Sequence, residues 1–362
     1  MILKNLVSYK LQRSFGFPRD LPMNLAVAST YKCNSRCKTC FIWKINKFDK
    51  ELKVDEFEKI FKKYGKNKLY LLTITGGEPF LNKDIDKISF FAEKYCNVKK
   101  IVIPTNAILN TYNLGKVKSI LSGLKKAHLT INISLDGVGE DHDHARGIGG
   151  NYERVINLYK DLQELEKEYK NLDVNLHTVI SRINYKDFGK IFSHVMNELK
   201  PKNYITEIAE LRPEMGNLSE NITPNYEEYS SAIDVLIRDL ENRKLNVKQS
   251  FRLEYYKLVK EIIKKKTQVI PCYAGIASAQ IDPTGEVWFC SLRAESIGNL
   301  RDVDYDFSRL WHNDKAKKQR LSITNKECYC PLANASYTNI ALDFKSSFRV
   351  MSKFLMSHFK YR

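Results

Sequence analysis

No uninterrupted apolar run in the 362-residue chain approaches the roughly 18 residues that a membrane-spanning helix requires. The opening MILKNLVSYKLQRSFGF carries charges every few residues. It lacks the apolar core and small-residue cleavage site of a signal peptide. Low-complexity tracts, collagen triplets and sustained heptads are missing, which excludes fibrous and coiled-coil classes. Acidic side chains are in deficit, 42 Asp plus Glu against 59 Lys plus Arg, for a formal charge of +17. A chain that is 43% hydrophobic and 28% charged folds rather than staying disordered. Its length suits one large domain or two ordinary ones. The expectation is a soluble, intracellular protein.

In a reducing compartment, clustered cysteines more often bind metal or do redox chemistry than form disulfides. Seven of the eight fall in two groups, Cys33, Cys37 and Cys40, then Cys272, Cys290, Cys328 and Cys330. Cys96 stands alone in FAEKYCNVKKI and reads as a small buried residue.

Hydrophobic period predicts strands at 25–30, 69–75, 100–105, 129–135, 174–180 and 204–211. Helical spacing fills 54–65, 151–169 and 224–242 between them, the last opened by Thr223 as cap and Pro224 as first helical residue. Six strand–helix units imply a parallel sheet with helices outside, too few for the closed eight-stranded barrel. An open or partial barrel follows. From about 271 the character changes: Asp282-Pro283-Thr284-Gly285 marks a hairpin turn, and a short helix-like stretch leads to Cys328-Tyr-Cys330. The lysine-rich EYYKLVKEIIKKK lies at the boundary, between 244 and 271.

Cys33-Asn-Ser-Arg-Cys37-Lys-Thr-Cys40 follows the first strand, on the loop where βα proteins place their chemistry. Zinc sites usually take four ligands, and no fourth lies nearby. Three thiolates on a 4Fe–4S cube leave one iron without a protein ligand, as a catalytic cluster needs. Thr75-Gly76-Gly77-Glu78-Pro79 ends the second strand, Thr105-Asn106 the third, and Ser134-Leu135-Asp136-Gly137 the fourth. His142-Asp143-His144-Ala145-Arg146 follows. Glycines let backbone approach a ligand, and a carboxylate suits an ammonium group.

With CxxxCxxC after the first strand and these motifs in order at successive strand ends, the sequence resembles the radical S-adenosylmethionine (SAM) superfamily. The resemblance implies a 4Fe–4S cluster on Cys33, Cys37 and Cys40. It implies SAM bound by Gly76, Gly77, Glu78, Pro79, Thr105, Asn106, Ser134 and Asp136, with Arg146 a candidate for its carboxylate. Reductive cleavage of SAM would yield a 5′-deoxyadenosyl radical that abstracts hydrogen from the substrate, driven by an electron donor such as flavodoxin or ferredoxin. The family's aromatic residue before the third cysteine is Thr39 here, which leaves Phe41 or Trp43 as candidates to cover the adenine.

Four thiolates at 272, 290, 328 and 330 suffice for one fully ligated 4Fe–4S cluster or for a structural zinc site. The surrounding pattern resembles the SPASM/twitch extension, the shorter twitch type fitting four cysteines better. The fold expected is α/β, a partial (β/α)6 barrel of the radical SAM type followed by a small SPASM/twitch-like domain. Its parts are an N-terminal extension (1–22), core barrel (23–244), linker helix (245–270), auxiliary-cluster domain (271–343) and basic amphipathic helix (344–362). The auxiliary cluster would accept or relay an electron, which favours oxidation or crosslinking, or would staple the small domain.

Three functional readings stand. The first is oxidation or other modification of a small-molecule or lipid-linked metabolite. The second is modification of a peptide side chain, weakened by the short N-terminal extension. The third is a basic iron–sulfur protein on nucleic acid, disfavoured because the lysines are dispersed and no RNA-binding motif accompanies them. The ending Lys360-Tyr361-Arg362 lacks the paired glycine of molybdopterin-type relatives, and four cysteines fall short of the two auxiliary clusters of sulfatase-maturing ones. Phe344, Phe348, Met351, Leu355 and Phe359 share a helical face among Lys345, Arg349, Lys353, Lys360 and Arg362. Ile2, Leu3, Leu6 and Val7 with Lys4, Lys10 and Arg13 repeat the pattern. Packing on the barrel or peripheral docking to an anionic membrane both fit these helices. No catalytic acid or base is identified; His177, Glu207 and Arg212 are candidates to line the cavity or to be satisfied core groups.

Overall fold

A computed structural model describes residues 2–15, 18–66 and 69–360. Six strands run parallel in chain order: β1 (Asn24–Ala28), β2 (Leu71–Thr75), β3 (Lys100–Thr105), β4 (His128–Ser134), β5 (Leu172–Ile180) and β6 (Tyr204–Ile208). They fall where the period placed them, within two or three residues. Leu72, Ile74, Ile101, Ile103, Leu129, Ile131 and Ile133 lie fully buried beneath the outer helices. The alternate positions, among them Asn132, Ser134, Asn175, His177 and Glu207, therefore share the opposite, inner face.

The helices between and after the strands are α1 (Ile2–Phe15), α2 (Val54–Tyr64), α3 (Ile85–Cys96), α4 (Asn110–Gly123), α5 (Glu140–Arg146), α6 (Asn151–Glu168) and α7 (Phe188–His194). There follow α8 (Tyr226–Glu241), α9 (Val247–Lys265), α10 (Phe307–Trp311), α11 (Asp314–Thr324), α12 (Ala333–Leu342) and α13 (Phe344–Lys360). Helix α8 starts later than Thr223-Pro224 would have it. Asn225 is the cap, its side chain accepting from the Glu228 N–H while the Glu228 carboxylate accepts from the Asn225 N–H. This reciprocal box satisfies two orphan donors, which a Thr cap ahead of Pro224 cannot do. Cys96 closes α3, buried, its thiol donating to the Phe61 carbonyl at 3.4 Å.

A seventh parallel strand, which the period did not reveal, extends the sheet past β1. β7 (Ser278–Ile281) pairs with β1, and β8 (Glu286–Trp288) and β9 (Ser296–Asn299) continue antiparallel, giving the order β6-β5-β4-β3-β2-β1-β7-β8-β9. The β7–β8 turn is Asp282–Gly285, as expected, with Gly285 at φ +92°. A clamp also crosses the chain. The Glu56 carboxylate on α2 accepts from Arg301 Nε at 2.7 Å, Arg301 Nη2 at 2.9 Å, Tyr305 Oη at 2.9 Å and the Lys53 N–H at 2.8 Å.

Helix α13 packs with its small side chains inward. Ser346, Val350 and Ser357 are buried, whereas Phe344 and Phe348 are 74% and 75% exposed. The Ile2, Leu3, Lys4 and Leu6 side chains and residues 361–362 lie outside the described set. Among the described residues, no helix is long and apolar enough to cross a membrane.

Candidate active site between two cysteine groups

The loop after β1 is laced to the loop after β2. Gly77 N–H donates to the Thr30 carbonyl and Glu78 N–H to the Lys32 carbonyl, both at 2.8 Å. A Cβ on Gly77 would meet the Lys32 carbonyl oxygen at 2.2 Å, and one on Gly76, at φ +127°, the Thr30 oxygen at 2.3 Å. These glycines are thus required first by the close approach of the cysteine loop. On its other side, Arg36 and Lys38 donate backbone bonds to Arg146 and Ala145 at the end of α5.

Around this loop the structure gathers the residues singled out at four strand ends. Both Glu78 oxygens are occupied, one by Thr105 Oγ1 and the other by the Asn106 N–H, each at 2.8 Å. Burial pushes the Glu78 carboxyl up to about 7 against those bonds. Asn106 reaches the Asn34 side chain at 2.8 Å. Asp136 accepts from the Val179 N–H at 2.8 Å and pairs with Arg146 Nε at 3.3 Å. The Arg146 guanidinium also donates to Cys37 Sγ at 3.3 Å, so its present partners are a thiol and Asp136. His142 Nδ1 accepts from the Asp136 N–H at 3.1 Å. Burial, then Arg146, lower its pKa to about 4. Ser134 stays half-buried on β4, and Phe41 and Trp43 lie at a tilt, centroids 6.3 Å apart.

Cys33 and Cys40 are pushed up to about 11 and about 12, by burial first and by neighbouring thiols among the other causes. At neutral pH these side chains are thus thiols, and a cluster's iron would bind them as thiolates by displacing their protons. Among the described residues, no three His, Cys, Asp or Glu side chains converge tightly enough for one metal ion. A single zinc holds its sulfurs at about 2.3 Å and demands such convergence. A cube takes one thiolate at each of three corners, which three cysteines on one loop can supply. In the second group, Cys272, Cys290, Cys328 and Cys330 all line one cavity, with Leu258, Ile262, Val269 and Ile323 as apolar walls. Burial raises Cys290 to about 12 and lifts Cys272 and Cys330.

Between the two groups lies a buried charged cluster beyond the end of β6, most of which the sequence reading missed. Arg212 Nη2 donates to Glu210 at 3.0 Å, and Glu214 stands 3.7 Å from Arg212 Nη1. Asn217 donates to the Thr39 carbonyl at 2.9 Å and Phe41 N–H to the Met215 carbonyl at 2.9 Å, tying the cluster to the first cysteine loop. Glu214 takes hydrogen bonds from Gln280 on β7 and from Ser291, next to Cys290. Glu210 is close enough to raise Cys330 electrostatically. Glu210 Oε1 and Arg212 Nε are buried with no hydrogen-bond partner. His177 Nε2 faces Glu207 Oε1 at 3.6 Å on the inner face. The clue was ELRPEMGN at a strand's C-terminal end, where three charges cluster.

Residues 27–195 match the radical SAM superfamily, and residues 272–331 match the SPASM iron–sulfur cluster-binding domain. The chain is a radical SAM enzyme with a SPASM domain. Its cofactors are SAM, a 4Fe–4S cluster and an auxiliary iron–sulfur cluster. This radical SAM enzyme is 25% identical over 331 residues to Fe-coproporphyrin III synthase of Methanosarcina barkeri, covering 85% of this chain and 77% of that one. It is 23% identical over 330 residues to the subtilosin biosynthesis protein AlbA of Bacillus subtilis, covering 86% and 66%. To GTP 3′,8-cyclase of Clostridium botulinum it is 35% identical over 137 residues, spanning only 40% of that relative. In fold it is similar to Streptococcus suis SuiB bound to precursor peptide SuiA, with TM-score 0.61, 17% identity and coverage of 87% and 70%.

Proposed function

We propose that this enzyme abstracts hydrogen from a polar substrate held between the two cysteine groups and oxidises or crosslinks it. Cys33, Cys37 and Cys40 would hold the catalytic cluster, and Cys272, Cys290, Cys328 and Cys330 the auxiliary one. Gly76 to Pro79, Thr105, Asn106, Ser134 and Asp136 would surround SAM, with Glu78 facing its ammonium group and Arg146 at the cluster edge. When bound, the catalytic pair supplies hydrogen-atom abstraction and the auxiliary cluster a destination for an electron.

The observation that carries the reading is the Glu210–Arg212–Glu214 cluster. It joins the loop of one cysteine group to the strands of the other, and it leaves a buried acceptor and a buried donor unmatched. Buried polar atoms are nearly always satisfied, so a ligand group that both donates and accepts would match this orphan pair. A peptide amide, a carboxamide or a hydroxyl does both. With His177 and Glu207 on the adjoining inner face, the lining suits a polar substrate better than a flat apolar ring.

Peptide side-chain modification is favoured within this class, because AlbA is named for bacteriocin biosynthesis and aligns along most of the chain. Modification of a small or lipid-linked metabolite is the second reading, favoured by the exposed basic helix described below. Anaerobic reconstitution with reductant and SAM tests the proposal, with 5′-deoxyadenosine as readout and Cys40→Ala as control. Cell-extract fractions that stimulate the product, and lose that effect after protease treatment, support the peptide reading. Protease-resistant stimulation by small solutes supports the metabolite. Cluster-loaded protein that neither binds SAM nor cleaves it in any fraction refutes both.

A further inference from the structure

Helix α13 is inside out. An amphipathic helix on a globular protein turns its apolar face to the core. Here the core side is Ser346, Val350 and Ser357, while Phe344, Phe348, Met351, Leu355 and Met356 are exposed. The inward fit is specific. Ser357 Oγ accepts from the Leu245 N–H at 3.0 Å, and Arg349 and Lys353 both donate to buried Glu254 on α9 at 2.6 Å. The aromatic ridge is therefore held outward by buried polar contacts.

Helix α1 extends the ridge. Val7 and Leu11 are exposed one turn apart, and the Lys10 ammonium lies over the Phe344 ring. Together the two helices hold three and four Lys or Arg and no Asp or Glu. Exposed apolar area of this kind marks an interaction surface.

We propose that the α1–α13 face docks the enzyme on anionic membrane, its aromatic side chains inserted at the headgroup boundary. Two features select lipid over protein. With Arg349 and Lys353 neutralised on Glu254, the charge left beside the ridge is that of Lys10 and Lys345, so a second copy presenting the same face would set like charges together, whereas anionic headgroups neutralise them. The ridge of long side chains stands on the exposed side of a single helix, the shape of interfacial helices. The proposal rests on this surface alone and stands whichever substrate is turned over.

The test uses full-length, cluster-loaded protein and vesicles of phosphatidylcholine with or without about 30% phosphatidylglycerol. Sedimentation is expected with the anionic vesicles and at least about tenfold less with neutral ones. Phe344→Ser with Phe348→Ser should weaken binding by about tenfold or more. Circular dichroism and SAM cleavage should not change, since both side chains are exposed. Phe348→Trp adds a depth readout: its extra fluorescence should be quenched by brominated acyl chains. Equal sedimentation of wild type and the double variant, or no quenching, overturns the proposal. So does a dimeric mass in light scattering that Phe348→Ser returns to a monomer, which assigns the face to a second copy.

Discussion

Removing the Glu56 carboxylate should loosen the hold of the cysteine-bearing region on the barrel. One carboxylate takes four hydrogen bonds, two of them from the Arg301 fork. Burial pushes its pKa up, yet Arg301, Lys53 and Tyr305 outweigh this and hold it at about 2. The fall from an ordinary 4.5 to about 2 sets a ceiling of about 3.4 kcal/mol. The Arg301 side chain is 36% exposed, so water competes and about 2 kcal/mol is the working figure. The sign is that of a depressed acid: the contribution is full above about 4.5 and is lost as pH falls through about 2. A double-mutant cycle of Glu56→Ala and Arg301→Ala, followed by urea unfolding at pH 7, measures the coupling directly. Far-UV circular dichroism and cluster absorbance, recorded together, show whether the cysteine region departs first. A coupling below about 0.5 kcal/mol would refute the reasoning, since that is the level of an ordinary surface pair.

Three further outcomes follow. Glu78→Gln should weaken SAM binding to the cluster-loaded protein by at least about tenfold in calorimetry, because a carboxylate opposite an ammonium is replaced by an amide; unchanged affinity would remove Glu78 from the SAM site. His142 has its pKa lowered to about 4 from 6.5, so stability should be full above pH 6.5 and fall until about pH 4. At pH 5 the wild type should have lost about 2 kcal/mol relative to pH 7 that a His142→Gln variant keeps, and parallel pH profiles in urea would sink the assignment. Gly77→Ala, with its Cβ 2.2 Å from a backbone oxygen, should displace the first cysteine loop and lower iron content by about half, while Gly115→Ala, with nothing within 4 Å, should leave it intact. Equal iron in both variants would contradict the packing argument.

β2, β3 and β6 were legible because they alternate cleanly, Leu72 and Ile74 being buried while Leu71, Thr73 and Thr75 are partly exposed; β1, β4 and β5 were legible as apolar runs. The first cysteine loop was legible from spacing alone, since its position after β1 follows from chain order. The hairpin turn implied a strand at β7, but not its parallel pairing with β1, because SAQI is four residues buried on both faces and names no neighbour. The charged cluster was only glimpsed: Glu210 fell inside the expected strand and Arg212 was a cavity candidate, but their meeting with Glu214 is tertiary. For α13 the period gave the two faces correctly, yet period is blind to which face turns inward. Ser346, Ser357 and Glu254 decide that, and their meeting is tertiary.

The parallel pairing of β7 with β1 makes the spacing of the two cysteine groups a matter of ladder geometry. Neighbouring strands sit about 4.8 Å apart, so β8 lies two steps, roughly 10 Å, from β1; because β8 runs antiparallel, Cys290 leaves the sheet at the edge where β1 begins and Cys33 past the edge where β1 ends. A ladder is a ruler, whereas a hinge would be an adjustable gap. The same ladder caps the flank of β1, so a barrel cut off before β7 would bare a strand edge and be prone to self-association.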